Sequence, residues 1–124
     1  MIEINDELKN LIENNVLTLT SVNKDNSPHS IAVAYVKVVD KDKILVSNCY
    51  IKETVENLKN NDNVSLLIWN ENWKKECFSF ELRGKAQHFT SGKWLEQVKK
   101  IQENKNNPIK GAILVTISKI KKIA

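Results

Sequence analysis

The stretch that decides the fold is SNCYIKETVENLKN, residues 47–60. It follows the apolar β-run of residues 44–46, and its second half carries Val55 and Leu58 at the spacing of an amphipathic helix. A chain that passes from a strand through a polar turn into a helix leaves the first N–H groups of that helix unpaired. The helix dipole adds partial positive charge at the same place, so the stretch suits an anion such as a phosphate group.

Two side chains of this turn carry the same chemistry. Lys52 offers a cation and Thr54 offers a hydroxyl, and both are groups that bind phosphate oxygens. A purely structural alternative is that Thr54 or Ser47 caps the helix while Lys52 is solvated. The turn alone leaves both interpretations open.

Length and composition predict one domain spanning residues 1–124. Hydrophobic residues make up 41% of the chain and charged residues 27%, which is the balance of a soluble globular protein. No apolar run approaches the roughly 20 residues that a membrane helix needs, so we expect no membrane association. The acidic start of the chain does not resemble a secretory signal, and a cytoplasmic location is the simplest expectation.

The charge pattern argues against nucleic acid as a partner. The formal net charge is +4, but among 19 Lys and Arg residues Arg83 is the only arginine. Proteins that bind nucleic acid depend on arginine forks, which this chain lacks. With Cys49 and Cys77 as its only cysteines, the chain implies neither a disulfide framework nor a zinc site.

Hydrophobic periodicity predicts a mainly β protein with short helices. The six predicted strands are residues 16–22, 29–39, 44–46, 64–69, 78–86 and 111–117. The three predicted helices start after Asn5 or Asp6, at Lys52, and after Thr90 or Ser91, the last with Trp94, Leu95, Val98 and Ile101 on one face. Gly84 within the fifth strand indicates a bulge or a close backbone approach. Six strands joined by short turns favour a closed or nearly closed antiparallel barrel, since closure removes sheet edges.

With these elements in order, the chain resembles the FMN-binding split barrels, the superfamily of pyridoxamine 5'-phosphate oxidase. The small FMN-binding proteins and flavoredoxin-like members are the nearest in length. The motifs that carry the resemblance are VLTLT (16–20), NSPH (26–29), ILVS (44–47), the K-x-T-x-x-N-L pattern of residues 52–58, LRGKA (82–86) and GAILV (111–115). Together they cover nearly the whole chain in the right order.

The resemblance implies a six-stranded split barrel that forms a homodimer with FMN at the subunit interface. It implies that the FMN phosphate meets Lys52, Thr54 and the backbone N–H groups of Cys49, Tyr50 and Ile51. The ring would lie against Ser30, Ile31, Ala32 and Val33 and against Val46, Ser47 and Asn48. Residues from Pro108 to Lys110 of the second subunit would close the other side.

The chain departs from the resemblance at Glu53, where the nearest relatives carry a cation beside the threonine. We expect Lys52 to take over that role from the adjacent position. Of the remaining residues, His29 is a candidate to sit over the flavin or a surface residue, and Cys49 is a reactive thiol or a small buried side chain. Trp73 is the better candidate among the tryptophans for a lid over a ring, whereas Trp69 and Trp94 fit core faces. His88 has no second ligand type nearby for a metal.

The function that the resemblance implies is redox chemistry or electron transfer with an unidentified redox partner or small-molecule substrate. The alternatives are a binding module for haem or a deazaflavin, and a dimeric scaffold without a cofactor. Pyridoxamine phosphate oxidation itself is not expected. Resembling enzymes hold the substrate phosphate with arginine and histidine late in the chain, and after Gly84 this chain has no arginine and only His88.

Overall fold

The computed structural model describes residues 2–101 and 106–124, and these contain seven strands and three helices. In chain order the elements are α1 Asp6–Glu13, β1 Leu17–Val22, β2 Pro28–Val33, β3 Val36–Asp40, β4 Lys43–Asn48, α2 Glu53–Asn60, β5 Asn63–Trp69, β6 Ser79–Phe89, α3 Lys93–Val98 and β7 Gly111–Lys122. All strand pairs are antiparallel, and the order across the sheet is β2-β1-β5-β6-β7-β4-β3.

The sheet curls into a split barrel because its two outermost strands are consecutive in the chain. β2 and β3 lie at opposite ends of the hydrogen-bonded order, yet only Ala34 and Tyr35 separate them. The Tyr35 carbonyl accepts from the N–H of Ser47 at 3.0 Å, which holds this junction against the end of β4. The two edges of the sheet are therefore brought together at the junction, and the split lies there.

The prediction of six strands is wrong at this same junction. The single strand predicted over residues 29–39 is two strands, which pair with β1 and with β4. Val33 and Val36 are both buried although three positions apart, so the period-two alternation breaks between them. The sequence there is continuously apolar, and neither glycine nor proline marks the break.

Two hydrophobic clusters lie on opposite faces of β4 and β7. The larger cluster fills the barrel with inward residues of every strand and is plugged by Leu8 and Ile12 of α1. The smaller cluster lies outside, where α3 covers Leu45 of β4 and Leu114 of β7. Residues 111–115 are buried without alternation for this reason.

Only α1 begins with a side-chain cap that the sequence predicted. Asn5 caps α1 by accepting the N–H of Leu8 at 2.8 Å. α2 begins at Glu53 with no side-chain cap, and Gly92, rather than Thr90 or Ser91, precedes α3. Gly84 fulfils both expectations, since the β6–β7 register shifts there and a Cβ would overlap the Thr116 carbonyl.

No helix in the described ranges is both long and apolar enough to cross a bilayer.

Candidate functional site

The candidate site is a cavity of about 540 Å³ at the split, which we call the split cavity. One wall is β2 with the junction, and the other is the end of β4 with the start of α2. Its lining residues are His29, Ile31, Ala32, Val33, Ala34, Tyr35, Ser47, Cys49, Tyr50, Ile51, Lys52, Glu53 and Thr54. Its volume falls within the range of about 300–1,000 Å³ that is usual for cofactor and small-molecule sites.

One end of the split cavity has the chemistry of an anion site. The Thr54 side chain is fully buried, and its Oγ1 has no hydrogen-bond partner among the described residues. α2 starts here without a capping side chain, so its first-turn N–H groups lack the partner that helix starts usually have. The exposed Lys52 adds a cation at the same rim. A buried hydroxyl without a partner is costly unless a ligand satisfies it.

The turn between β4 and α2 is held by the side chain of Asn48. Its Oδ1 accepts the N–H of Ile51 at 2.9 Å, and its Nδ2 lies 3.0 Å from Nε2 of His88. The Ile51 N–H was expected to face a phosphate, but Asn48 engages it inside the turn. The first turn of α2, which has no side-chain cap, still offers backbone donors to an anion.

Glu53 and His29 contact each other across the mouth of the cavity. Nδ1 of His29 lies 3.0 Å from Oε2 of Glu53, linking the start of β2 to the start of α2. The Glu53 side chain is 57% exposed, whereas that of His29 is 24% exposed. The Glu53 carboxylate is thus turned toward a histidine.

Nine of the predicted site residues line the split cavity. They are Ile31, Ala32, Val33, Ser47, Cys49, Tyr50, Ile51, Lys52 and Thr54. Val46 instead points into the barrel core, and Ser30 bonds to Thr20 through their hydroxyls at 2.7 Å. Asn48 does not line the cavity and instead hydrogen-bonds to Ile51 within the turn between β4 and α2.

The residues predicted to come from a second subunit lie outside the cavity of their own chain. Pro108 and Lys110 are both exposed, and the Lys110 ammonium lies 5.9 Å from the centre of the Tyr50 ring. Tyr50 itself is 70% exposed at the rim.

Four lining residues stand outside the predicted binding set: His29, Ala34, Tyr35 and Glu53. His29 was expected only as a candidate to sit over the flavin, and Glu53 only as a departure from the resemblance. Ala34 and Tyr35 were hidden because the strand break that exposes them has no sequence signal. The signal for the His29 contact was an acidic residue at a proposed anion site, which calls for a hydrogen-bond donor.

The other candidate residues fall outside this chemistry. Cys49 is buried, and burial raises the pKa of its thiol, which disfavours a reactive thiolate. Trp73 lines a separate apolar groove with Leu67 and Ile123, so it is not a lid over the split cavity of its own chain. Trp69 and Trp94 are half-buried. Residues 2–101 and 106–124 contain no cluster of His, Cys, Asp and Glu that could hold a metal ion.

Comparison with known proteins finds one family over almost the whole chain. Residues 4–124 match the family described as pyridoxamine 5'-phosphate oxidase. An uncharacterized protein of Methanocaldococcus jannaschii is 25% identical over 125 aligned positions, which cover 97% of this chain and 80% of the relative.

Solved structures share the fold at lower identity. HupZ of group A Streptococcus superposes with a TM-score of 0.86 at 18% identity, covering 97% of this chain and 94% of HupZ. An FMN-binding protein of Syntrophomonas wolfei superposes with a TM-score of 0.83 at 20% identity, covering 94% of this chain and 83% of that protein.

Proposed function

Because this chain belongs to the pyridoxamine 5'-phosphate oxidase family, we propose that it binds FMN in the split cavity and serves redox chemistry or electron transfer. We further propose that it acts as a homodimer in the cytoplasm. The single observation that carries the proposal is the buried Oγ1 of Thr54, which lies beside the uncapped start of α2 and has no partner in residues 2–101 and 106–124.

The phosphate of FMN fits the chemistry of that end of the cavity. A phosphate oxygen would accept from the Thr54 hydroxyl and from N–H groups of the first turn of α2, while Lys52 supplies a cation. The Glu53 carboxylate would oppose a phosphate, but one of its oxygens is turned toward Nδ1 of His29 at 3.0 Å. The residues present therefore fit a phosphate-bearing ligand.

The remaining walls suit a flat ring. Ile31 and Val33 of β2 and Ile51 of the turn offer apolar side chains. Backbone groups of the neighbouring residues can hydrogen-bond the polar edge of a flavin, since β2 is an outer strand of the sheet. FMN-binding by the Syntrophomonas wolfei protein, which shares this fold, supports the choice of ligand.

When bound, the flavin supplies the electron or hydride transfer, and the protein supplies binding, orientation and exclusion of water. Thr54 and Lys52 would hold the phosphate end of the flavin. Tyr50 and Ala34 are exposed at the rim, so one chain leaves the mouth open to solvent. A second copy of the chain would complete the cover, which is why we propose a homodimer.

The direct test is the visible absorption spectrum of freshly purified protein, recorded before and after denaturation. A flavin spectrum whose released chromophore is FMN supports the proposal. A haem or deazaflavin spectrum would show that the protein binds that cofactor instead of FMN. Protein that is colourless and binds no added flavin would contradict cofactor binding and leave the scaffold alternative.

The contribution of Thr54 is tested with two ligands that differ only in the phosphate. A charge-assisted hydrogen bond is worth about 1.5–3 kcal/mol, so Thr54→Val should weaken FMN binding by about ten- to a hundredfold. Riboflavin has no phosphate, and its affinity should hardly change. Fluorescence titration of both flavins measures the difference.

Two variants complete this titration. Thr90→Val changes an exposed threonine away from the cavity and should bind FMN as the wild type does. Lys52→Ala should also weaken FMN. This loss relative to the wild type should depend more strongly on salt concentration than the loss in Thr54→Val, because an exposed ammonium is screened by ions. If Thr54→Val and Lys52→Ala both bind FMN as tightly as the wild type, the phosphate does not bind at this end.

A further inference from the structure

His88 lies on β6 and Asn48 on β4, with β7 between the two strands. Their side chains nevertheless meet, with 3.0 Å between Nε2 of His88 and Nδ2 of Asn48. The contact passes over Gly111 of β7, where a Cβ would overlap the imidazole. Gly111 pairs directly with Asn48 in the β4–β7 ladder. The missing side chain of one glycine therefore lets a histidine reach across a strand to the turn behind the cavity.

The hydrogen bonds of Asn48 fix the chemical form of His88. The Asn48 Oδ1 accepts from Ile51 N–H at 2.9 Å, so the Asn48 amide must present its Nδ2–H to the imidazole. His88 Nε2 must then accept, which places the ring proton on Nδ1. If Nε2 gained a proton, two donors would face each other across 3.0 Å. Asn48 could remove this repulsion only by losing its hydrogen bond with the Ile51 N–H.

We propose that His88 is a positioning residue for the split cavity: by accepting from Asn48 across Gly111, it holds the turn of residues 48–52 in the ligand-binding form. Cys49, Tyr50, Ile51 and Lys52 of this turn all line the cavity. The effect on FMN rests on the proposed function, whereas the effect on the turn does not.

The charges around His88 favour the neutral ring. Burial lowers the pKa of His88, and the positive charge of Lys59 on α2 lowers it further. Lys59 and Asp62 share a groove with His88, and Asp62 is paired with Lys85 at 3.8 Å. In the turn after β4, Cys49 adds no charge because burial raises the pKa of its thiol. From β7, Gly111 has no side chain and the neighbouring Lys110 ammonium lies over Tyr50.

The sign of the pH effect follows from the lowered pKa. The unfolded chain binds a proton at His88 more readily than the folded chain does, so acid favours the disrupted turn. The stabilisation is fully present above the ordinary histidine pKa of about 6.5 and is lost as the pH falls through the lowered value.

The test that needs no flavin is NMR of the ¹⁵N-labelled protein. In the wild type, the His88 ring nitrogens should report the Nδ1–H form, and the Ile51 amide should titrate with the His88 midpoint. In His88→Phe, the Ile51 amide should lose that titration and exchange with solvent about two- to tenfold faster, as expected for one hydrogen bond. The control Gln87→Ala, an exposed neighbour on the same strand, should match the wild type.

A second variant keeps the inference testable if His88→Phe does not fold. Asn48→Asp keeps an acceptor for Ile51 and places a carboxylate oxygen opposite Nε2, which favours protonated His88. The His88 midpoint should therefore rise by about one pH unit or more. An unchanged His88 midpoint in Asn48→Asp, or wild-type exchange of the Ile51 amide in His88→Phe, would overturn the proposal.

The last experiment measures the affinity for both flavins at pH 7.5 and so tests whether the turn affects ligand binding. His88→Phe should weaken FMN about two- to tenfold and riboflavin less, which lowers the preference for FMN. An altered turn with unaltered FMN affinity would overturn the functional part of the inference. A protein that binds no flavin would contradict the proposed function alone, because the NMR measurements decide the positioning role without a ligand.

Discussion

At the scale of single residues, Glu53 shows how a charge that opposes a ligand can be tolerated beside it. The carboxylate lies at the start of α2, where negative charge stabilises the helix itself. The same position borders the proposed phosphate site, where negative charge is unfavourable. His29 reconciles the two demands by pairing with Glu53 at 3.0 Å. Two residues that look unrelated in sequence therefore act as one unit.

This pairing gives a prediction for FMN binding. His29→Ala should weaken FMN by up to about fivefold, because a partly exposed contact to a carboxylate is worth about 0.2–1 kcal/mol. Glu53→Gln should leave FMN affinity unchanged or raise it. The double variant should bind as Glu53→Gln does, since the carboxylate that His29 contacts is gone, and fluorescence titration of the four proteins measures this. Additive losses in the double variant would mean that His29 contacts the flavin directly.

At the scale of elements, α2 is anchored by its middle rather than by its cap. Asn57, buried on this helix, donates from Nδ2 to Ser21 Oγ at 3.0 Å and to Asn23 Oδ1 at 2.9 Å. Both acceptors belong to the end of β1 and the turn that follows it. The start of α2 thus stays available to a ligand while the helix remains fixed to the barrel.

Asn57→Ala should lower the free energy of unfolding by about 1–3 kcal/mol, because it leaves polar partners without their donor. Asn60→Ala makes the same exchange at an exposed position of the same helix, so it is the control for the change in helix propensity. That control should be neutral or slightly stabilising. Urea denaturation compares the two, and equal stability of both variants would show that the Asn57 hydrogen bonds contribute nothing.

The elements also show what the sequence could and could not reveal. Alternation and helical periodicity predicted the existence and type of almost every element, because one face of each is buried. The break between Val33 and Val36 was missed because it arises where two strands take different partners, which local sequence does not encode. The K-x-T-x-x-N-L pattern predicted a ligand site at Lys52 and Thr54, but not that its Asn57 is an anchor. His88 acts through a contact across β7, which only the folded sheet creates.

At the scale of the whole molecule, the open mouth of the split cavity bears on assembly. A homodimer that covers a flavin should bury on the order of 2,000 Å² or more of surface. Sedimentation velocity of the FMN-loaded protein should therefore give twice the chain mass of 14.2 kDa. A monomer that still holds FMN tightly would contradict the dimer.

The whole chain also limits the reaction that it can perform. Pyridoxamine 5'-phosphate brings a second phosphate, which resembling enzymes hold with arginine and histidine, and after Gly84 the chain has no arginine and a single histidine, His88. In the structure, Nε2 of His88 is engaged by Asn48. FMN-loaded protein should therefore form no measurable pyridoxal 5'-phosphate, followed by its absorbance. Appreciable turnover would refute this.

The junction of Ala34 and Tyr35 has a consequence for how such a protein can be altered. β2 and β3 are joined there by main chain, and neither is the hydrogen-bonded neighbour of the other in the sheet order. The side chains of Ala34 and Tyr35 can therefore be exchanged without disturbing any register pair of the sheet. Both residues line the split cavity but belong to neither hydrophobic cluster. Changes there can alter which ligand binds with little effect on the core, which makes the junction a natural starting point for redesign.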